Sequence, residues 1–270
     1  MSLPRIVRVG SSRSEPLLGT NPKLSVVLPA YNEEASLPEA IEQCKRLVQL
    51  LSSTEVIFVD DGSTDRTPEL VTEAAAAHPW IRLLQHQSNL GYGRAIRSGF
   101  AAATGEFVFY TDADNQFDIT ELAEHWALLD DVDMLTGYRV YRYDPFPRLV
   151  LSWIYNRLVR ILFRVKVRDV DCSFKVMRRQ RLDSIVLLSD DFFIDTELVA
   201  RARKWNWRMV EVGVRHFPRR AGRTTVRPSD VPRTLGVILK MWFRIHFPNR
   251  AAHFEALKAQ NDESAALRGS

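Results

Sequence analysis

Val108-Phe109-Tyr110-Thr111-Asp112-Ala113-Asp114-Asn115-Gln116-Phe117 is an apolar run that ends abruptly in two carboxylates one residue apart. A short run rich in β-branched and aromatic residues, bounded by polar turn residues, predicts a buried strand with Asp112 and Asp114 at its carboxyl end. Open α/β sheets bind their ligands there. Alternate residues of an extended chain point the same way, so both carboxylates can face one ligand, and small Ala113 lets that ligand approach the backbone. Two hard oxygen donors suit Mg²⁺ or Mn²⁺, which take their remaining ligands from substrate phosphates and water. The pair equally fits two turn aspartates capping a helix that starts near Asp118.

Working outward, the same unit repeats. Leu24 to Leu28 reads as a strand, ended by Pro29-Ala30-Tyr31-Asn32-Glu33-Glu34, and apolar residues from Leu37 to Leu51 recur at helical spacing. Glu55 to Val59 is a second strand, closed by Asp60-Asp61-Gly62-Ser63-Thr64-Asp65 and followed by a helix over 67–77 with Pro68 in its first turn. Ile81 to Leu84 is a third strand, and Asn89-Leu90-Gly91-Tyr92-Gly93-Arg94 leads a helix to Ala103. This alternation predicts an α/β fold with a doubly wound, mainly parallel sheet and helices on both faces. Three loops then share one rim with Asp112 and Asp114. Tyr31 offers an aromatic face, and Asp60 can accept a hydrogen bond from a base N–H, so the rim reads as a nucleoside slot. Gly91-Tyr92-Gly93 fails the dinucleotide fingerprint because its sixth position is Ile96. The two glycines are expected to let backbone approach the nucleotide. Arg94 is expected to meet phosphate, and Arg97 either does the same or lies on a solvated helix face.

The formal net charge of +4 hides a division. Residues 23–138 carry 7 Lys and Arg against 19 Asp and Glu, whereas residues 139–250 carry 25 against 10. An acidic first half fits a metal-binding half; a basic second half fits an anionic acceptor or surface. Cys44 and Cys172 form no Cys-x-x-Cys pair, so neither a disulfide framework nor a zinc site is indicated. No apolar stretch has the length of a membrane span, and a cytoplasmic protein, peripheral on the inner face of the membrane, is expected.

In the second half a helix is predicted over 121–129, a strand over 132–136, and a helix over 147–165 that carries Arg157, Arg160 and Arg164 on one side. Asp171 to Met177 reads as a short strand containing Lys175. Asp190 to Glu197 opens a helix in which Asp195 is either a cap or a general base. Residues 208–214 form another strand, and His216 to Thr225 a basic loop. Residues 231–250 mix Arg233, Lys240 and Arg244 with Leu, Ile, Trp and Phe, the composition of an interfacial helix or of one docked on the core. The expected organisation is an arm over 1–22, one α/β domain over 23–230 divided near residue 138 into a nucleotide and metal half and an acceptor half, the 231–250 helix, and a disordered tail over 251–270.

Val26-Val27-Leu28-Pro29-Ala30-Tyr31-Asn32-Glu33-Glu34, Val59-Asp60-Asp61-Gly62-Ser63-Thr64-Asp65, Asn89-x-Gly91-x-Gly93-x-Ala95 and Asp112-Ala113-Asp114-Asn115-Gln116, in this order, resemble family 2 glycosyltransferases of the GT-A fold, in particular the dolichyl- and polyprenyl-phosphate mannose and glucose synthase branch. The resemblance implies a nucleotide-sugar donor, UDP- or GDP-linked, and inverting transfer. It implies that Pro29, Ala30, Tyr31, Glu33 and Asp60 hold the nucleoside with Asp61 beside them. Asp112, Asp114 and Gln116 would bind the metal. Arg139 matches a phosphate-contacting arginine, Asp171-x-Ser173-Phe174-Lys175 resembles the branch's acceptor-phosphate stretch, and Arg219-x-x-Gly222-x-Thr224 its Arg-x-x-Gly-x-Ser loop. Thr225 departs from the lysine usual at that point. Arg139, Lys175 and Arg219 would add positive charge around the phosphates. A polyprenyl phosphate acceptor needs no base, whereas a hydroxyl acceptor needs one, with Asp195 as candidate. The basic half favours a lipid-linked anion at an anionic membrane surface; no nucleic-acid module is recognisable. A soluble transferase acting on a saccharide or small-molecule hydroxyl, and a non-catalytic nucleotide-sugar-binding protein, stand as alternatives.

Overall fold

Strands β1 (Leu24–Ala30), β2 (Thr54–Asp60), β3 (Ile81–Gln85) and β4 (Phe107–Tyr110) lie side by side and parallel, in the order β3-β2-β1-β4. The computed structural model describes residues 23–141, 146–218, 231–247 and 250–268. Between those strands run α1 (Leu37–Leu50), α2 (Thr67–Ala77) and α3 (Tyr92–Ala102), the crossovers that parallel pairing demands. Pro38 and Pro68 sit in the first turns of α1 and α2, where a missing N–H costs nothing.

The sheet continues through β6 (Lys175–Arg178), β5 (Met134–Arg139) and β7 (Met209–Val214), giving seven strands in the order β3-β2-β1-β4-β6-β5-β7. Both charge halves therefore contribute to one sheet. β6 runs antiparallel to both neighbours, pairing Tyr110 with Lys175. Its beginning consequently lies beside the end of β4, and residues 171–174 reach the rim that carries Asp112. Successive residues of β1 serve opposite faces. Val27 packs with Ile57, Val59, Ile96, Phe100 and Val108 under α3, while Val26 and Leu28 pack with Phe58, Leu37, Leu47, Phe109 and Phe174 under α1.

Three expectations change. The helix over 121–129 is broken into 3₁₀ segments, Ile119–Glu121 and Trp126–Asp130, around the one-turn α4 (Leu122–His125). The strand expected from Asp171 begins only at Lys175. The 251–270 segment is not a disordered tail: α9 (Arg250–Arg268) is helical and covers α3. Alanines give it helix propensity without a marked apolar stripe, and its anchors are tertiary. Glu263 meets Arg94, Arg268 pairs with Asp183, Gln260 donates to the Ile185 carbonyl, and Leu267 is buried. The remaining helices are α5 (Phe146–Phe163), the one-turn α6 (Arg179–Leu182), α7 (Ile194–Lys204) and α8 (Val231–His246).

Candidate active site

The carboxyl ends of β1 and β2 are level, Ala30 opposite Asp60, while β4 ends three residues earlier with Tyr110 opposite Val27 and Thr111 N donating to the Val27 carbonyl at 3.2 Å, so the segment carrying Asp112 and Asp114 runs on from there to the same rim. The loops after β1 and β2 are laced together. Asn32 N donates to Ser63 Oγ at 2.9 Å, Thr64 N to Asn32 Oδ1 at 2.8 Å, and Glu33 N to Thr67 Oγ1 at 2.8 Å. Asn32 has a φ of 54°, a left-handed conformation that asparagine tolerates. Pro29 and Ala30 are buried, whereas Tyr31 is 47 % exposed and Glu33 half-buried at the rim. Asp60 is fully buried, its Oδ1 accepting from Ser63 N and its Oδ2 from Gln85 Nε2, each at 3.1 Å. Gln85, in no motif, thus fixes the orientation of the carboxylate expected to read the base.

Asp112 is half-buried and Asp114 is 9 % exposed. Asp112 Oδ1 accepts from Tyr92 Oη at 2.8 Å and its Oδ2 from Ser173 Oγ at 2.7 Å. Asp114 Oδ1 accepts from Gln116 N at 3.1 Å. Asn115, with a φ of 59°, turns the chain here, held by the Ser36 carbonyl and by Gln43. The capping alternative resolves by position: Asp118, not Asp112 or Asp114, accepts from Thr120 N at the following helical turn. No group of three or more His, Cys, Asp or Glu arranged to hold a metal ion by itself occurs among the described residues. Two carboxylates at a rim suit Mg²⁺ or Mn²⁺ sharing diphosphate and water ligands, so the residues present fit the metal. Burial, and then the Asp112 and Asp195 carboxylates, push the Tyr92 hydroxyl well above its ordinary pKa, so it stays a donor.

Several expected contacts lie elsewhere. The Asp61 carboxylate is buried away from the slot, accepting from Leu90 N and Gly91 N at 2.9 Å and pairing with His86 Nδ1 at 2.7 Å. His86 Nε2 in turn meets Ser98 Oγ at 2.9 Å, so this trio pins the 86–91 loop. At Gly91 and Gly93 other parts of the chain already come close: a Cβ on Gly91 would clash with the Asp190 carbonyl, and one on Gly93 would stand 2.5 Å from that of Ser189. Arg94 faces Glu263 of α9 at 3.1 Å, and Arg97 bonds the Leu187 carbonyl and pairs with Asp190. The Gln116 amide nitrogen reaches the Phe217 carbonyl and His216 Nε2, both at 3.2 Å.

The acceptor side differs as much. Arg139 is held by Asp169 in a bidentate pair of 2.6 and 2.7 Å, which overcomes burial and raises the guanidinium pKa further. Lys175 is fully buried and bonded to Asp195, the Cys172 carbonyl and Tyr110 Oη. Asp195 is therefore no helix cap: Phe193 occupies that position, and Asp195 accepts from Lys175 and Tyr110 inside the protein. Partners 20 to 30 residues away in sequence leave no local signal of these pairings. Arg219 and Thr224, with all of residues 219–230, lie outside the described residues.

Asp171 Oδ1 is buried without a hydrogen-bond partner among the described residues. Burial first, then the Asp195 and Asp169 carboxylates, raise its pKa from 3.8 to about 7. In the unfolded chain this group ionises near its ordinary value, while the folded protein keeps the proton. Stability is therefore expected to fall as pH rises between about 4 and 7. Asp171→Asn removes that contribution, so urea unfolding at pH 7.5 should show the variant more stable by about 1 kcal/mol or more, with the gap closing towards pH 4. An unchanged gap across this range would show that Asp171 is ionised in the folded protein.

Residues 25–186 match the model of Glycosyl transferase family 2. The chain is 33 % identical over 239 residues to Glycosyltransferase AglD of Haloferax volcanii, covering 83 % of this chain and 37 % of the relative. It is 30 % identical over 253 residues to the dodecaprenyl-phosphate galacturonate synthase of Rhizobium johnstonii, covering 89 % and 74 %. The crystal structure of glucosyl-3-phosphoglycerate synthase from Mycobacterium tuberculosis, in complex with Mn²⁺, UDP and glucosyl-3-phosphoglycerate, superposes with a TM-score of 0.63 at 20 % identity, over 83 % of this chain and 80 % of that one. That likeness concerns the fold, a GT-A-like α/β sheet with flanking helices. With its motifs in order along the matching region, the chain belongs to glycosyl transferase family 2.

Proposed function

We propose that the protein transfers a sugar from a UDP- or GDP-linked donor to a polyprenyl phosphate at a membrane face, with inversion at the anomeric carbon. One observation carries this reading: the Pro29–Glu33 loop, Asp60 and the Asp112/Asp114 pair share the rim formed by β1, β2 and β4. Tyr31 and Asp60 would hold the base, Glu33 would stand at the nucleoside, and Asp112 and Asp114 would hold Mg²⁺ or Mn²⁺ against the diphosphate, with Gln116 beside them. A divalent cation held there would supply Lewis-acid stabilisation to the leaving diphosphate. An acceptor phosphate oxygen attacks C1 as the C1–O bond to the diphosphate breaks, and the nucleoside diphosphate departs with the electron pair. A phosphate nucleophile is already anionic, so this chain need supply no base. Arg219 with Thr224 would meet the phosphates from the basic half, whereas Arg139 is committed to Asp169. Lys175 would act at one remove, through Asp195.

The surface of α5 and α8 supports the lipid acceptor. Trp242 Nε1 donates to the Leu162 carbonyl at 3.0 Å, joining the two helices. Ile238, Met241 and Ile245 face the core, while Phe243 (58 %) on α8, Phe247 (69 %) just after it and Trp153 (64 %) on α5 are exposed. Arg157, Lys240 and Arg244 are exposed on the same helices, and Arg164 directly after α5. Exposed aromatics with cations are the composition that settles at an anionic lipid interface. No helix among the described residues is long and apolar enough to cross a membrane.

Co-sedimentation with anionic vesicles containing polyprenyl phosphate, combined with a nucleotide-sugar assay, tests this. Vesicle binding and sugar-polyprenyl phosphate formation are expected, with vesicle affinity falling about tenfold or more in Trp153→Ser/Phe243→Ser as two apolar anchors are lost. A hydroxyl acceptor is the second reading, in which Asp171, with a buried and unpartnered Oδ1 two residues before the Ser173 that bonds Asp112, would serve as base. Transfer to a soluble hydroxyl acceptor but not to polyprenyl phosphate would select it.

A further inference from the structure

The carboxylate of Asp112 is tethered from two directions. Tyr92, the first residue of α3, donates to Oδ1 at 2.8 Å, and Ser173, in the loop before β6, donates to Oδ2 at 2.7 Å. A carboxylate offers about four acceptor positions, and a hydroxyl on each of its two oxygens fixes its orientation. The start of α3 is itself fixed. Gly93 N donates to the Asp190 carbonyl at 2.9 Å, and Leu90 N and Gly91 N are held by Asp61. Arg97, one turn further on, is tied to the Leu187 carbonyl and to Asp190. The phenol of Tyr92 is thus delivered by a backbone with little freedom.

We propose that Tyr92 is the positioning residue of the metal site, its hydroxyl fixing Asp112 in the orientation that binds the divalent cation. This rests on the donor-site reading above. Partners that orient ligating carboxylates commonly change metal affinity 10- to 100-fold when removed. The segment that fixes Tyr92, residues 187–190, leads into α7, which carries Asp195. The acceptor half therefore bears on the metal carboxylate twice, through Ser173 directly and through Asp190, α3 and Tyr92. Gly93 is essential to the second route, because a Cβ there would stand 2.5 Å from the Ser189 carbonyl and 2.7 Å from that of Asp191.

Mn²⁺ binding, read from the free-ion electron paramagnetic resonance signal in the presence of UDP or GDP, tests the assignment without relying on turnover. Tyr92→Phe keeps the ring and removes one oxygen. Its Mn²⁺ affinity is expected to fall 10- to 100-fold, with metal-free nucleotide affinity and melting temperature unchanged. Ser173→Ala cuts the tether on the other oxygen and gives an independent reading, a loss of the same class. Mn²⁺ affinity within twofold of wild type in Tyr92→Phe would overturn the positioning role while leaving the donor site intact. Wild-type protein that binds no Mn²⁺ with either nucleotide would overturn the donor-site reading, and this assignment with it.

Discussion

Asp114→Asn is expected to lower metal-dependent release of nucleoside diphosphate by about a thousandfold, with little change in melting temperature. The asparagine carbonyl can still accept from Gln116 N, the bond that shapes the turn in the native protein at 3.1 Å. What is lost is a negative charge on a rim-facing, hard oxygen donor. A metal acting as Lewis acid on a leaving diphosphate contributes several kcal/mol, and about 4 kcal/mol corresponds to a factor of roughly 10³ in rate. Nucleotide binding through Tyr31 and Asp60 would persist, so the loss should appear mainly in turnover. Release at more than a tenth of the wild-type rate, at saturating Mn²⁺, would show that Asp114 is a turn residue and nothing more.

The second large effect concerns folding. Lys175 is fully buried and Asp195 only 4 % exposed, and they pair with each other beside Tyr110. Lys175→Met leaves Asp195 as an uncompensated buried charge and is expected to cost about 3–5 kcal/mol. For a chain of this size that lowers the melting temperature by roughly 10 °C. Lys175→Met/Asp195→Leu removes both charges and should recover most of the loss, since a buried pair and a well-packed apolar pair of similar volume are often close in stability. Urea unfolding of wild type, both single variants and the double variant measures the coupling. The opposite pattern, a stable Lys175→Met with a raised KM for the acceptor alone, would place Lys175 in direct contact with the acceptor phosphate, as its motif suggests.

The legible and illegible parts of this chain divide along a physical line. Strands that are buried on both faces read as short apolar runs, so β1, β2 and β4 and the residues at their carboxyl ends could be located locally. Asp112, Asp114 and the loop from Pro29 to Glu33 follow from that alone. What a charged side chain pairs with is not local. Arg139 finds Asp169, Lys175 finds Asp195, and Arg94 finds Glu263 on a helix 169 residues away. Each looked available for a phosphate because its partner is distant in sequence. Gly91 and Gly93 carried a signal for close backbone approach, but only the fold shows that the approaching chain is residues 189–191. α9 was missed because alanine supports a helix without announcing a buried face. Tyr92 had one clue, its place between two glycines at a helix start, which the failed dinucleotide fingerprint obscured.

A metal-dependent nucleotide site on the β1-β2-β4 rim underlies the proposed transfer. Its most direct test is the unfolding stability of the protein with UDP and with GDP, each with and without Mn²⁺, in wild type and Asp114→Asn. At a nucleotide concentration of about 100 times the dissociation constant, one of the two should stabilise the wild type by about 2.7 kcal/mol when Mn²⁺ is present. That gain should shrink without metal and in the variant. No stabilisation by either nucleotide, or equal stabilisation regardless of Mn²⁺ and of Asp114, would contradict the account.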